Sequence, residues 1–122
     1  MKGFFCSNDH STNYAEMIVE KRKTIETRNK NMLKNLVGER VAVIRTGKGK
    51  PMVIGYVDIT GCSFCNEEDF PKYFYQHWVL YMSKYYVKTK GKYFYHLANA
   101  EKCIPYQLPE NAVRHGRSWC EF

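Results

Sequence analysis

Residues 39–61 read ERVAVIRT, GKGKP, MVIGYVDITG. Two runs rich in valine and isoleucine flank five residues that hold two glycines and a proline. Apolar side chains recur every second position rather than three and four apart, so the runs form strands and not helix turns. Gly47, Gly49 and Pro51 break the chain between them, which makes an antiparallel hairpin. In the first run Val41 and Val43 share one face with Arg45, while Ala42 and Ile44 share the other. A lone hairpin is marginal in water, so the remaining segments must cover it.

Those segments supply more strands and little helix. KGFFCS, residues 2–7, is short, apolar and aromatic, and reads as a first strand. SNDHSTN is rich in turn formers and offers Ser11, Thr12 or Asn13 as a helix cap. YAEMIVEK follows with Tyr14, Met17 and Ile18 on one stripe, and KTIETR then alternates as a strand. NEEDFPKYFYQHWVLYMSKYY opens like a helix, with Asn66 as cap and Glu67, Glu68 and Asp69 near the positive end of the dipole. Pro71 falls in its first turn or breaks it. GKYFYHLANAEKCIPYQLP opens as an aromatic strand and returns past Pro105 and Pro109, and HGRSWCEF closes as a last strand. In KYFYHL, alternation sends either Tyr93 with Tyr95 or Phe94 with His96 toward the core. The expectation is one α+β domain over residues 1–122, its strands curled into a small mixed β-barrel with flanking helices.

Charge narrows the partners. Nineteen Lys and Arg against twelve Asp and Glu leave +7, an excess that draws phosphate-bearing molecules. The stretch KYFYQHWVLYMSKYYVKTKGKYFYH interleaves aromatics with lysines, a pattern on which single-stranded RNA stacks, although core packing accounts for most of these rings. No P-loop, dinucleotide fingerprint or nucleophile elbow occurs, so ATPase, oxidoreductase and esterase readings lack support. MKGFFCSNDHSTNY is not a signal peptide, and no apolar run approaches the roughly 18 to 20 residues of a membrane span. Five cysteines are then expected reduced, in a soluble cytoplasmic protein without membrane contact. Cys62 and Cys65 have the spacing of half a zinc site, but no second pair follows, so neither a metal nor a cofactor is expected.

Residues 20–30, EKRKTIETRNK, hold five cations and two carboxylates. On a strand Glu26 and Arg28 point the same way, and Lys23 at the preceding turn can reach the same hollow. An ammonium and a guanidinium around one carboxylate leave net positive charge, suited to a phosphate or a polarised carbonyl, or else to a structural ion pair.

This segment resembles the signature of the ASCH domain, a branch of the PUA-like superfamily: Gly-x-Lys-x-x-Glu-x-Arg just after the first helix. Lys23, Glu26 and Arg28 fit it, and Lys21 stands where glycine is usual. YAEMI resembles the family's first helix, GERVAVIRTG and VIGYVDIT its paired strands, YHLANAEKCIPYQL its late strand, and RHGRSW its closing segment. The resemblance runs in order from about residue 3 to 120. It implies a cleft between helix and barrel that binds RNA, a nucleotide or a nucleoside. Some small ASCH proteins are amidohydrolases that deacetylate acetylated cytidine; there the signature lysine is base or activator and a threonine stands at the position of Glu26. A further glutamate completes that site, for which Glu67 and Glu68 are candidates. By this likeness Lys23 and Glu26 would be catalytic if the protein is such a hydrolase or a ribonuclease. The expected ligand-binding set is Lys23, Glu26 and Arg28, with Arg45, Lys48, Lys50, Arg114 and Arg117 on the rim and His10 as a loop candidate. For hydrolysis Lys23 needs a depressed pKa, which burial and Arg28 favour and Glu26 opposes.

Overall fold

The run 40–46 is a strand buried on both sides, and the sheet is built outward from it. The computed structural model describes residues 1–9 and 11–122. Its elements are β1 (Lys2–Ser7), α1 (Tyr14–Val19), β2 (Ile25–Arg28), β3 (Arg40–Thr46), β4 (Met52–Asn66), α2 (Phe74–His77), β5 (Gly91–Gln107), β6 (Val113–His115) and β7 (Trp119–Glu121). They form one seven-stranded sheet in the order β2-β5-β4-β3-β1-β7-β6, in which only β1 and β3 run parallel. Val41 and Val43 join the main core with α1, whereas Ala42 and Ile44 join a second core with Phe5, Val53, Leu108 and Cys120. The two-phase reading of ERVAVIRT thus corresponds to two apolar layers.

β4 and β5 are much longer than the sequence runs indicated, and their pairing shifts register three times, at Val53/Gly55, Tyr56/Asp58 and Ile59/Gly61. Each irregularity adds local twist, and together they curl the sheet. The curl brings β2 back toward β1, where the Arg28 guanidinium donates to the Phe5 carbonyl at 2.5 Å. No ladder joins β2 to β1 or to β6 among the described residues. The fold is α+β and mostly sheet, but the sheet stays open where a closed barrel was expected.

Gly55 lets α1 lie close on β4: a Cβ there would run into the Glu101 carbonyl and meet Val19 Cγ1 at 2.6 Å. Helix capping comes from upstream of the expected trio. Asn13 occupies the cap position without a side-chain bond, while Asn8 accepts from the Ala15 N–H at 3.1 Å and donates to Glu16 at 2.9 Å. The helix expected after Asn66 is reduced to a single 3-10 turn, Phe70–Tyr73, and the four residues of α2. Asn66 is not the cap: Asp69 holds that position without a side-chain bond, and Asn66 closes the preceding turn, accepting from the Asp69 N–H at 3.0 Å. Pro71 and a run of weak helix formers leave the segment to be organised by burial of Phe70, His77 and Val79. In KYFYHL both faces are covered where one was expected to be, because Phe94 and Tyr95 are both buried: Phe94 lies under Phe70 and Tyr73, and Tyr95 donates to Asn31 at 2.7 Å. Pro105 is accommodated within β5 because β2 pairs only as far as His96, leaving the later residues on a free edge. No helix among the described residues is long and apolar enough to cross a membrane.

Candidate functional site

The turn between α1 and β2 delivers Lys23. The Lys21 N–H donates to Ile18 O at 3.0 Å and the Arg22 N–H to Met17 O at 2.9 Å, a Schellman cap with Lys21 at its left-handed position, φ 69°. That is the conformation glycine takes most readily, so Lys21 holds it at a steric cost of about 1 kcal/mol. The chain then reverses, and Lys23 turns inward until only 2% of it is exposed.

Its ammonium donates to the Ile25 carbonyl at 2.7 Å and to the His77 carbonyl at 2.6 Å, lies 3.6 Å from Glu26 Oε1, and sits over the Tyr14 ring at 5.1 Å. Trp78, at φ 60°, turns the chain just after His77. Glu26 Oε2 accepts from Arg28 at 3.0 Å, and the same guanidinium nitrogen reaches Phe5 O. Burial would raise the Glu26 carboxyl, but Arg28 and then Lys23 outweigh it and hold it below the ordinary carboxylate range. Burial lowers the Lys23 amine, with Glu26 acting against it. Cys6 lies against this group, its thiol raised by burial and further by Glu26.

The three side chains open onto a pocket of about 460 Å³ in the gap of the curled sheet. Phe5, Cys6 and Ser7 of β1 form one wall; Glu26, Thr27 and Arg28 of β2 face them. Tyr14 and Lys23 lie at its base, and Val79 with Tyr85 closes one side. Arg114 and Arg117 stand at its margin, Arg114 stacked over the Phe5 ring at 4.9 Å. Four cations and one carboxylate line it, leaving +3. The Tyr14 hydroxyl is buried with no hydrogen-bond partner among the described residues. Ser83, whose own hydroxyl is committed to Asp9, and Thr12 stand near it; burial raises the phenol and these two moderate the effect.

Of the residues singled out from the sequence, Lys23, Glu26, Arg28, Arg114 and Arg117 therefore meet at one pocket. Arg45 does not line it and is paired with Glu16 at 3.2 Å, and Lys48 and Lys50 project from the β3–β4 turn into solvent. Glu67 and Glu68 are exposed in the turn after β4, away from the lining. His10 lies outside the described residues. Sequence reasoning missed Phe5, Cys6, Ser7 and Thr46, which arrive through the β1–β3 pairing, Val79 and Tyr85 from the segment after α2, Tyr14 at the start of α1, and Thr27 of β2. It also missed Lys92, buried at the start of β5.

No protein-family model and no curated protein matches the sequence. Solved structures do. The ASCH protein of Zymomonas mobilis superposes with a TM-score of 0.70 at 19% identity, over 87% of this chain and 73% of that one. A tyrosine-to-phenylalanine variant of that protein gives 0.69 at 20% identity, covering 88% and 77%. A serine-to-alanine variant gives 0.68 at 19% identity, covering 86% and 73%. With its curled sheet, single leading helix and late β5 strand, the chain has the ASCH-domain fold.

Proposed function

We propose that the pocket beside Lys23 binds the phosphate and base of a nucleotide, as a free molecule or as part of an RNA, in a basic cleft between the first helix and the curled sheet. The observation that carries this reading is the +3 lining: Arg28, Arg114 and Arg117 present guanidinium groups around a hollow also lined by Tyr14 and Lys23. Guanidinium forks match phosphate oxygens, and the Phe5 and Tyr85 rings supply apolar walls for a base. A volume of about 460 Å³ lies within the range of small-ligand sites. The ASCH-domain fold agrees with a nucleic-acid role.

Binding is favoured over hydrolysis by the way Lys23 is held. Two carbonyls accept from its ammonium and a carboxylate faces it, so although burial lowers the amine, its protons are engaged by groups that would lose their donor if it acted as a base. Glu67 and Glu68 supply no second carboxylate to this pocket.

The test is equilibrium binding of nucleoside monophosphates and of a short RNA across a salt series. Changing Arg114 and Arg117 together to Gln, both exposed and outside the buried cluster, is expected to weaken binding and to lower the salt slope by roughly 1.4. Affinity indifferent to salt and to this change would overturn the reading. Incubation with acetylated cytidine is expected to release no acetate; turnover would restore the amidohydrolase alternative, and cleavage of labelled RNA the ribonuclease one.

A further inference from the structure

We propose that the strap joining α2 to β5, residues 79–90, is a second nucleic-acid contact that carries the strand onward from the pocket mouth. The ligand class is then a single-stranded RNA several nucleotides long rather than a lone nucleotide. This rests on the pocket reading above and extends it to a surface outside the cleft.

The strap is two-sided. Its inner side is pinned: Val79 and Tyr85 wall the pocket, Tyr85 meets Tyr14 edge-on at 6.0 Å, and Tyr86 meets Phe70 at 5.0 Å. Ser83 ties it at both ends of a turn, donating to Asp9 at 2.5 Å and accepting from the Tyr85 N–H at 3.0 Å. Its outer side is apolar and bare. Tyr81 is 80% exposed and Met82 89%, with the Tyr81 ring propped against Tyr86 at 5.3 Å. A segment held this firmly keeps flat apolar groups in water, and the fold itself does not cover them.

Charge identifies what would. From Phe70 to Ala100 the sequence holds Lys72, Lys84, Lys88, Lys90 and Lys92 and no carboxylate, which is five of the net seven positive charges. Lys84, Lys88 and Lys90 are exposed and form no ion pair among the described residues. Lys84 lies over the Tyr85 ring at 5.2 Å, so the cationic row begins at the pocket wall. Exposed rings beside unpaired cations are the elements with which proteins hold single strands, bases on the rings and phosphates on the amines. One nucleotide seated in the pocket would have its neighbours led across Tyr81 and the three lysines.

The experiment compares cytidine monophosphate with an eight-nucleotide RNA on the intact protein. The RNA is expected to bind at least about tenfold more tightly, with a salt slope steeper by roughly 2 for three added phosphate contacts. Tyr81→Ser with Met82→Ser should cost the RNA about tenfold and leave the mononucleotide unchanged. Lys84→Gln, Lys88→Gln and Lys90→Gln together should remove the extra slope. Equal affinity for both ligands, or a length advantage that survives both sets of changes, overturns the strap and leaves the pocket standing. RNA binding that depends on the strap but not on Arg114 and Arg117 keeps the strap and overturns the pocket. Failure of both ligands overturns both. If vesicles rich in anionic lipid bind through Tyr81 while RNA does not, the surface is a membrane contact and this inference is wrong.

Discussion

Two lysines of this protein are buried almost equally, Lys23 at 2% and Lys92 at 3% exposure, and their surroundings differ in every other respect. Lys23 enters β2 among two carbonyls, a carboxylate and a ring face. Lys92 enters β5 with no hydrogen bond or ion pair among the described residues; its strongest electrostatic neighbour is the Glu26 carboxylate, which raises the amine, against three cations, Arg28, Lys88 and Lys23, which lower it. Burial brings its amine down to about 8. A buried charge costs several kcal/mol unless its partners replace water. The first lysine has those partners and organises a corner; the second has no direct partner and only the field of Glu26 to offset its burial.

Removing each lysine tests that contrast most strongly. Lys23→Met strips two carbonyls and Glu26 of their donor, and chemical denaturation should show a loss of about 3–5 kcal/mol. A loss below 1 kcal/mol would mean that the corner does not depend on its ammonium. Lys92→Met removes a charge that burial disfavours while keeping most of the volume, and should raise stability by about 1 kcal/mol. A destabilised Lys92→Met protein would show that this amine has found a partner after all.

The pH dependence sharpens the comparison. Lys92 is neutral in the folded protein above about 8 but charged in the unfolded chain up to its ordinary 10.5, so the unfolded state binds the extra proton between these values. Stability should therefore rise with pH across that window and flatten in Lys92→Met. His77 behaves likewise lower down: burial depresses its imidazole to about 4 from 6.5, so stability should fall as pH drops from 6.5 toward 4. Thermal melts of wild type and His77→Gln across this range check it, the variant giving the flatter profile.

The smallest effect expected is at the turn that delivers Lys23. Lys21→Gly relieves a left-handed backbone and should add about 0.5–1 kcal/mol with no change in ligand affinity. A change in affinity would show that the Lys21 side chain, and not only its backbone, serves the pocket.

What the sequence disclosed follows the same division between local and distant causes. Glu26 and Arg28 are two apart on one strand and Lys23 sits at the turn before it, so their convergence was legible from spacing. The two faces of β3 were legible from alternation. Phe5 and Tyr85 were not, because one reaches the pocket through a parallel pairing forty residues distant and the other through a strap held by Ser83 and Phe70. Three register shifts, which no period-two pattern contains, made β4 and β5 longer and more curled than the sequence indicated. Lys92 sits in KGKYFYH, where a lysine looks like ordinary surface; its burial comes from the segments packed over β5. Lys21, where the signature has glycine, adopts a left-handed φ, which its side chain tolerates.

Where β2 approaches β1, the circuit of the sheet is completed by one guanidinium spanning from Glu26 to Phe5 O, and no backbone rungs cross the gap. That crossing therefore rests on a single side chain: an Arg28→Lys change, which keeps the charge but not the fork, would leave the ladders intact and loosen only this closure.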